Sequence, residues 1–510
     1  MSLINNNNRK WWLIASVMLV YLMGNIDYTA VNLALASIAN DFHASLSDLQ
    51  WVINGAILAG TALMVFAGRL SDIIGRKKLF ILGSIGFVLT SLMVGFSPNE
   101  SFLITMRVLQ GATCAFAFAV MSPLIFSTFP DSQRGLAIGM LMGASGFGQA
   151  LGPSLGGFLI HFWGWRWIFF INVPIGIVAI IIGCYSAVSV KTNKAHEKLD
   201  YIGAAIFTLA LTLLIYVLNE SQAWGLLSIK FLGCLLVSFL LLRVFYSYEK
   251  SVERPLLDLS LLKNKPYMNF VAIRFFYSFT FGSLLFITGL YLINILQYSV
   301  IEAGLILFSL ALLNGITSPF TGRLVDLVGV KKPLVLAMLI GGIGLIFDMG
   351  FGAAHVFELY HVLWIFIAGL ALNGLVVGIS QGAPTTGALR EVHEDDLGIA
   401  TGFMFTVAFL SFAISIAVTG YLQYAIGSIS AKAALALHHV SMTPARWTTI
   451  ETFTDGSRSL STLPEAFSAH IAKLLLPILQ QSFSFTFLVI MGVNVIFCII
   501  AFFLSLKIKE

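Results

Sequence analysis

The chain has 510 residues, of which 58% are hydrophobic and only 10% are charged. Soluble proteins carry about 25% charged residues, so this composition excludes a string of soluble domains and indicates a membrane protein. The formal net charge of +5 does not indicate nucleic-acid binding, because most of the 29 Lys and Arg residues fall in short connections between apolar runs.

Apolar runs of about 20 residues, the length that crosses a bilayer, recur along the whole chain. They predict fourteen spans, near 12–33, 51–70, 79–97, 101–124, 136–160, 167–189, 201–220, 229–247, 269–293, 303–322, 334–352, 361–384, 399–423 and 484–506. Basic residues concentrate in alternate connections, which by the positive-inside rule places both termini in the cytoplasm. The predicted fold class is an all-α polytopic membrane protein.

Two opposite charges fall inside predicted spans 1 and 4. Asp27 and Arg107 each lie about six residues from the outer end of their span, roughly 9 Å deep at 1.5 Å per residue. A charge in hydrocarbon costs at least about 2.5–3.5 kcal/mol, so each should face a partner or a watery cavity. We predict that Asp27 exchanges a proton and that Arg107 sets its proton affinity. The alternative is a purely structural pair, or an arginine that reaches the outer interface.

A repeated phrase reveals how the chain is organised. Gly68–Lys78 recurs as Gly322–Lys332 with seven of eleven positions identical. The copies follow predicted spans 2 and 10, whereas two copies of a six-span unit would place them six spans apart. Two spans are therefore inserted between two six-span bundles. The predicted domains are 1–190, 191–268 for the insert, and 269–510, the last with a long outer segment at 424–483.

The repeated phrase also predicts a conformational latch between the two halves. An aspartate can accept hydrogen bonds at the N-terminus of a neighbouring helix, and a glycine permits close approach. Arg76 could clasp an acidic residue across the contact. The predicted latch residues are Gly68, Asp72, Gly75, Arg76, Gly322 and Asp326. The alternative is a basic loop that serves membrane topology alone.

Span 5 carries Gly148, Gly152 and Gly156 at four-residue spacing, followed at one point by Pro153. Such spacing makes a smooth face on which another helix packs closely, and the proline favours a bend.

Other polar or aromatic residues in spans are candidate contacts for a small-molecule substrate. These are Asn32, Gln110, Phe276, Tyr277, Asn314, Asn373 and Gln381. A mainly apolar cavity with a few polar groups suits amphiphilic molecules, although aromatic residues in a span more often pack or face lipid. Arg274, close to the predicted inner end of span 9, is expected to snorkel to the interface, and the alternative is contact with an anionic substrate. Asp348 is a second proton site or an interfacial residue.

These motifs resemble the major facilitator superfamily, specifically its fourteen-span drug/proton antiporter branch. The resemblance rests on the GxLxDxxGRK phrase after span 2, on RxxQG in span 4 and on GxxxGPxxGG in span 5, carried by Gly68, Leu70, Asp72, Gly75, Arg76, Lys77, Arg107, Gln110, Gly111, Gly148, Gly152, Pro153, Gly156 and Gly157. The stretches Asp27–Leu35 and Trp165–Gly176 are also typical of this branch, although Ala36 stands where the family usually has a proline.

The resemblance implies proton-coupled export of amphiphilic compounds across a bacterial inner membrane, with spans 1 and 4 lining a central cavity. The inserted spans and the outer segment are also similar to antiporters that work with a periplasmic adaptor protein. Two alternatives remain at this point: a dedicated proton-linked exporter of one endogenous metabolite, siderophore or lipid, and a non-transporting receptor or scaffold. The sequence contains no nucleotide-binding glycine loop, nucleophile motif or metal-ligand spacing, so we expect no cofactor, no metal and no enzyme activity.

Overall fold

The computed structural model describes residues 8–44, 46–187, 199–253, 255–356, 363–437, 443–454, 460–467 and 469–509. Regular structure within these ranges is helical, without a β-strand. The long helices are α1 (Arg9–Phe42), α2 (Leu46–Ile74), α3 (Arg76–Gly95), α4 (Glu100–Thr128), α5 (Asp131–Trp163), α6 (Asn172–Ser186), α7 (Tyr201–Asn219), α8 (Ile229–Glu249), α9 (Lys265–Leu290), α10 (Val300–Val328), α11 (Lys331–Val356), α12 (Leu363–Arg390), α13 (Leu397–Leu437) and α14 (Ala469–Leu506). Shorter helical segments connect them at Trp167–Phe170, Ser221–Trp224, Leu259–Lys263, Tyr291–Ile295, Glu394–Asp396, Pro444–Thr454, Leu460–Thr462 and Leu463–Ala466.

Thirteen helices in the described ranges are long and apolar enough to cross a membrane, by length and composition. The predicted fifth span is the one that does not meet this test. It nevertheless forms α5, a helix of 33 residues that covers the whole predicted stretch. Its many glycines, which contribute little hydropathy, account for its absence from the thirteen.

The predicted outer segment 424–483 is largely helical where it is described. α13 runs over 41 residues to Leu437, and α14 over 38 residues from Ala469. The last part of the predicted outer segment, from Ala469, is therefore continuous with the last predicted span. Residues 438–442, 455–459 and 468 of this segment lie outside the described residues, as do 188–198 and 254 around the predicted insert.

The two copies of the repeated phrase end their helices in the same way. Gly75 between α2 and α3 has φ 98°, and Gly329 between α10 and α11 has φ 82°. This region of backbone space favours glycine, because a side chain there meets the following carbonyl. We call the end of the molecule that carries these two turns the latch end.

The helices form two bundles with α7 and α8 beside them. Within the first bundle α1 packs on α5 and α2 on α4; within the second α10 packs on α12 and α11 on α14. The bundles meet through α5 against α10 and α2 against α13. α7 lies against α2, and the Tyr216 ring stacks on Trp51 with centroids 5.6 Å apart. α8 packs mainly on α7, so most of its surface is left for lipid.

Candidate functional site

A cluster of five buried polar side chains lies inside the first bundle. We call Asp27, Ser91, Arg107, Gln110 and Asn172 the polar cluster; they come from α1, α3, α4 and α6. None is more than 4% exposed. Since apolar side chains surround them, these groups can satisfy their hydrogen bonds only with one another or with the backbone.

The ion pair between Asp27 and Arg107 is at the centre of the polar cluster. The Arg107 Nη1 atom lies 2.5 Å from Asp27 Oδ2, while its Nε donates to the Val52 carbonyl at 2.8 Å. The Phe169 ring covers the guanidinium, with its centroid 5.5 Å from the guanidinium carbon. Charge-assisted bonds of this kind are short and strong, so the pair ties α1 to α4.

Neutral side chains complete the coordination of both charges. Gln110 accepts from Arg107 at 2.6 Å, and its amide nitrogen donates to Ser91 at 2.6 Å and approaches Asp27 at 3.4 Å. Asn172 donates to Asp27 Oδ1 at 3.2 Å. If Asp27 became neutral, Arg107 would retain Gln110 and the Val52 carbonyl as partners. Arg107 thus has two partners besides Asp27.

Ser91 and Asn172 were not identified from the sequence. Both are neutral, and a single serine in an apolar span carries no distinguishing pattern. Asn172 does lie within the Trp165–Gly176 stretch that is typical of the antiporter branch, and this was the one available signal.

The predicted latch residue Asp72 contacts the N-terminus of α13. Its two carboxylate oxygens accept from the backbone nitrogens of Gly398 and Ile399 at 3.0 and 2.9 Å. Asp72 is fully buried, and the carbonyl of Gly68 lies against Gly398. The helix dipole and two free N–H groups favour an anion at this point.

The second copy repeats this contact with α5. Asp326 accepts from the backbone nitrogens of Gly135 and Leu136, both at 2.8 Å. The backbones of Gly322 and Gly135 touch directly. Each half thus places one aspartate on a helix of the other half. We call these two contacts, Asp72 with α13 and Asp326 with α5, the two seams of the latch.

The cations of the two seams differ from expectation. Arg76 does not pair with any described acidic side chain of the other half; it bonds the backbone carbonyl of Glu394 and lies 3.7 Å from Asp72 in its own half. The second copy has Val330 where an arginine would correspond to Arg76. Arg390, at the end of α12, lies 3.3 Å from Asp326 and takes that place.

α5 uses its glycines on two faces. Near the latch end, side chains added at Gly139 and Gly143 would collide with or press on α10, the helix of the other half. Farther along, Gly148, Gly152 and Gly156 pack against successive turns of α1, the helix that carries Asp27. Small residues at this spacing let backbones approach closely. Pro153 lies within this helix, beside Gly152.

Gly152→Leu should destabilise the protein, because a side chain at 152 would overlap the Thr29 hydroxyl of α1. Overpacking of this kind costs about 1–3 kcal/mol, and we expect a melting temperature several degrees lower in detergent. Gly157→Leu is the matched control, since a side chain there has no neighbour within 4 Å. Equal melting temperatures for the two variants would contradict the close α1–α5 packing.

The predicted substrate contacts do not assemble into one site. Gln110 belongs to the polar cluster, whereas Phe276, Tyr277 and Asn373 line a small apolar pocket inside the second bundle. Asn32 is exposed and bonds the carbonyl of Tyr28 in its own helix. The remaining two candidates lie near the contact between the bundles: Asn314 packs against Gly146 of α5, and Gln381 is a neighbour of Tyr277.

Two further predicted charges are buried in the second bundle. Asp348 is fully buried; one of its oxygens accepts from Asn373 at 3.0 Å, and the other has no hydrogen-bond partner in the described part of the chain. Arg274 does not snorkel to an interface. α9 begins at Lys265, several residues earlier than the sequence predicts, so Arg274 lies deeper than expected and is only 8% exposed.

An ion pair connects the end of α1 to the segment after α5, at the end of the first bundle opposite the latch end. Arg166 lies 2.6 Å from Asp41, which also accepts from the Trp165 indole nitrogen at 3.2 Å. The hydrogen bond from Arg166 lowers the pKa of Asp41 below its ordinary value. Trp163 and Trp167 are exposed nearby, where amphipathic rings suit a membrane interface.

The described part of the chain contains no group of three His, Cys, Asp or Glu side chains placed to hold a metal ion. The chemistry of the candidate site is therefore that of a buried ion pair, its hydrogen-bond partners and two interbundle seams.

Comparison with known proteins gives a consistent result. A sequence model of the Major Facilitator Superfamily matches residues 17–416. The tetracenomycin C resistance and export protein of Streptomyces glaucescens is 31% identical over 73% of this chain and 69% of its own length. The riboflavin transporter RibZ of Clostridioides difficile is 29% identical over 80% and 87%, and the multidrug resistance protein Stp of Mycobacterium tuberculosis (strain H37Rv) is 28% identical over 78% and 72%.

Solved structures share the fold at low sequence identity. The human organic anion transporter MFSD10 aligns with a TM-score of 0.59 at 12% identity, covering 95% of this chain and 99% of that one. The proton:xylose symporter XylE aligns at 0.56 and 14%, covering 89% and 94%.

Proposed function

Because the chain belongs to the Major Facilitator Superfamily, we propose that it exports amphiphilic small molecules in exchange for protons, in the inner membrane of a bacterium. Membership makes it a multi-pass membrane transporter and not an enzyme. Relatives named for antibiotic export and multidrug resistance support the direction of transport and the class of substrate.

The buried ion pair of Asp27 and Arg107 is the observation that carries proton coupling. A carboxylate inside a membrane-spanning bundle is expensive unless it is paired or protonated. Here it is paired, and neutral partners remain available to Arg107 if Asp27 takes up a proton. Protonation would remove the charge that ties α1 to α4, and so alter the relative energy of two helix arrangements.

A continuous path of packed helices connects this pair to the latch. α1 carries Asp27 and packs on the glycines of α5, and the opposite end of α5 forms the seam with α10. A shift of α1 would therefore be felt at the contact between Gly135 and Gly322. We propose that proton uptake at Asp27 biases the opening of that seam.

The engaged seams support an assignment of the access state. Both aspartates of the latch are bonded to the opposite half. If the latch end faces the cytoplasm, as the distribution of basic residues predicts, this arrangement closes the cytoplasmic side. The structure would then represent the outward-facing state, in which an exporter releases substrate and takes up a proton.

A dedicated exporter of one compound is the second candidate function. It is favoured by the relative named as a riboflavin transporter, which shows 29% identity and is named for a single compound. Both candidates use the same proton site and the same latch. They differ only in how many compounds drive proton movement.

The decisive measurement is the response of a pH-sensitive dye in energised inside-out vesicles that contain the chain. Cationic, anionic and uncharged amphiphiles are added in turn, with vesicles lacking the chain as the control. Release of protons by several unrelated compounds supports broad antiport, and release by one, with riboflavin included in the panel, supports the dedicated exporter. Absence of any response from folded, inserted protein would overturn proton-coupled export of amphiphiles.

A further inference from the structure

Arg274 is a buried cation deep within the molecule. It lies nine residues from the start of α9, roughly 13 Å along the helix. Its side chain is only 8% exposed, so neither water nor a lipid headgroup can solvate the guanidinium fully.

The guanidinium has few partners. Its Nη1 atom donates to the carbonyl of Ser380 in α12 at 3.3 Å, and its carbon lies 5.8 Å from the centre of the Tyr277 ring. Of the five N–H donors of an arginine, one is used. Among the described residues, no carboxylate lies within ion-pair distance of Arg274, in contrast to Arg107, which has Asp27.

A second unsatisfied group lies beside it. The Tyr277 hydroxyl is buried and has no hydrogen-bond partner among the residues that the structure describes, although the Gln381 side chain is its neighbour. Tyr277 follows Arg274 by three residues on α9, so both side chains lie on the same face of the helix. A guanidinium with free donors and a hydroxyl without a hydrogen bond thus lie on the same face of α9.

This region lies between the two bundles. Tyr21 of α1, a helix of the other bundle, lies near Arg274. The Phe118 ring packs edge-on against Tyr21, with centroids 4.7 Å apart. The walls around the cation are therefore aromatic, and they come from both halves of the protein.

We propose that Arg274 and Tyr277 form a binding site for the anionic group of an amphiphilic substrate, with the aromatic walls holding its apolar body. Leaving a buried charge unpaired is costly, and an anionic ligand would supply the missing counter-charge. A planar guanidinium with free donors suits a carboxylate in particular. The proposal rests on the proposed transport function and narrows its substrate class to aryl carboxylates and similar anions.

The test is equilibrium binding to the purified full chain in phosphatidylcholine nanodiscs, without any proton gradient. The probes share one aromatic body and differ in their polar group: 2-naphthoate, 2-naphthamide and 2-naphthylmethylammonium. We expect the parent to bind the carboxylate at least about tenfold more tightly than the amide or the cation, as a hydrogen-bonded charge pair would give.

Substitutions test whether Arg274 and Tyr277 cause this preference for the carboxylate. Arg274→Gln should bind 2-naphthoate and 2-naphthamide equally, and Arg274→Lys should retain part of the preference. Tyr277→Phe, which keeps the ring, should weaken carboxylate binding by about tenfold and amide binding by less, because a hydrogen bond to a charged acceptor is the stronger one. Arg243→Gln is the matched control, because Arg243 is an exposed arginine of α8 that bonds Ser247 in the same helix.

Three results would overturn the proposal: equal binding of carboxylate and amide by the folded parent, no binding of the carboxylate, or a preference that survives Arg274→Gln. The binding experiment and the vesicle experiment can fail independently of each other. Charge-selective binding without proton movement in vesicles would retain the site and refute antiport. Proton movement driven only by cations would retain antiport and refute the site.

Discussion

Asp27→Asn should abolish proton release by every transported compound in energised vesicles, to less than about one tenth of the parent response. Asparagine cannot take up and release a proton, but its oxygen can still accept from Arg107, as the carboxylate does at 2.5 Å. Removal of the charge leaves Arg107 with Gln110 and the Val52 carbonyl, so we expect a folded protein with a lower melting temperature.

The control for this variant is Asp41→Asn. It removes the same charge from the same helix, beyond the predicted membrane span and on the partly exposed pair with Arg166. We expect proton release to persist in this control, and substrate binding to both variants to stay within about threefold of the parent. Persistence of proton release in Asp27→Asn would refute the assignment and direct attention to Asp348.

Gly322→Val should drive the two halves apart at the latch end. A side chain at 322 would overlap the carbonyl of Gly135, and neither backbone can move without opening the seam. The engaged state should therefore fall from the main population to a minor one, a change of at least tenfold in the equilibrium between access states. Transport should fall with it, because the cycle could no longer return to the engaged state.

Double electron–electron resonance, which measures the distance between two spin labels, can follow this change. Spin labels at exposed positions 78 and 391, one in each half near the latch end, would report a longer distance in Gly322→Val. The measurement needs a background without the four free cysteines, Cys114, Cys184, Cys234 and Cys498. Gly342→Val is the matched control, because no atom lies within 4 Å of a side chain there; an unchanged distance in Gly322→Val would contradict the seam as a gate.

Depth along the helices was enough to predict that Asp27 and Arg107 share a level, because the helical rise is fixed. The structure adds the partners that depth cannot give. Ser91 and Asn172 join the polar cluster through side chains that resemble many others in apolar spans, and only the packing of α3 and α6 identifies them. Sequence therefore predicts the charges of a membrane site more readily than their neutral partners.

The repeated phrase predicted the backbone contacts of the latch well and the side-chain contacts less well. Close backbone approach at glycines and aspartates at two helix N-termini follow from the repeated phrase. The positive φ angles at Gly75 and Gly329 come from the structure. The role of Arg390 does not, because it compensates from another helix for the arginine that the second copy lacks. The depth of Arg274 was predicted wrongly because hydropathy placed the start of its span about one turn too late.

The two seams have a consequence for how such a protein can evolve. At Gly68 against Gly398 and at Gly135 against Gly322, main chain meets main chain. Besides the aspartates Asp72 and Asp326, such a joint depends mainly on the absence of side chains where the backbones meet. Mutations around the proposed substrate site can then alter which compound is bound while the closing surfaces stay the same. If Arg274 binds substrate as proposed, such a division lets one scaffold acquire new substrates through substitutions around Arg274 while the contacts that close it are retained.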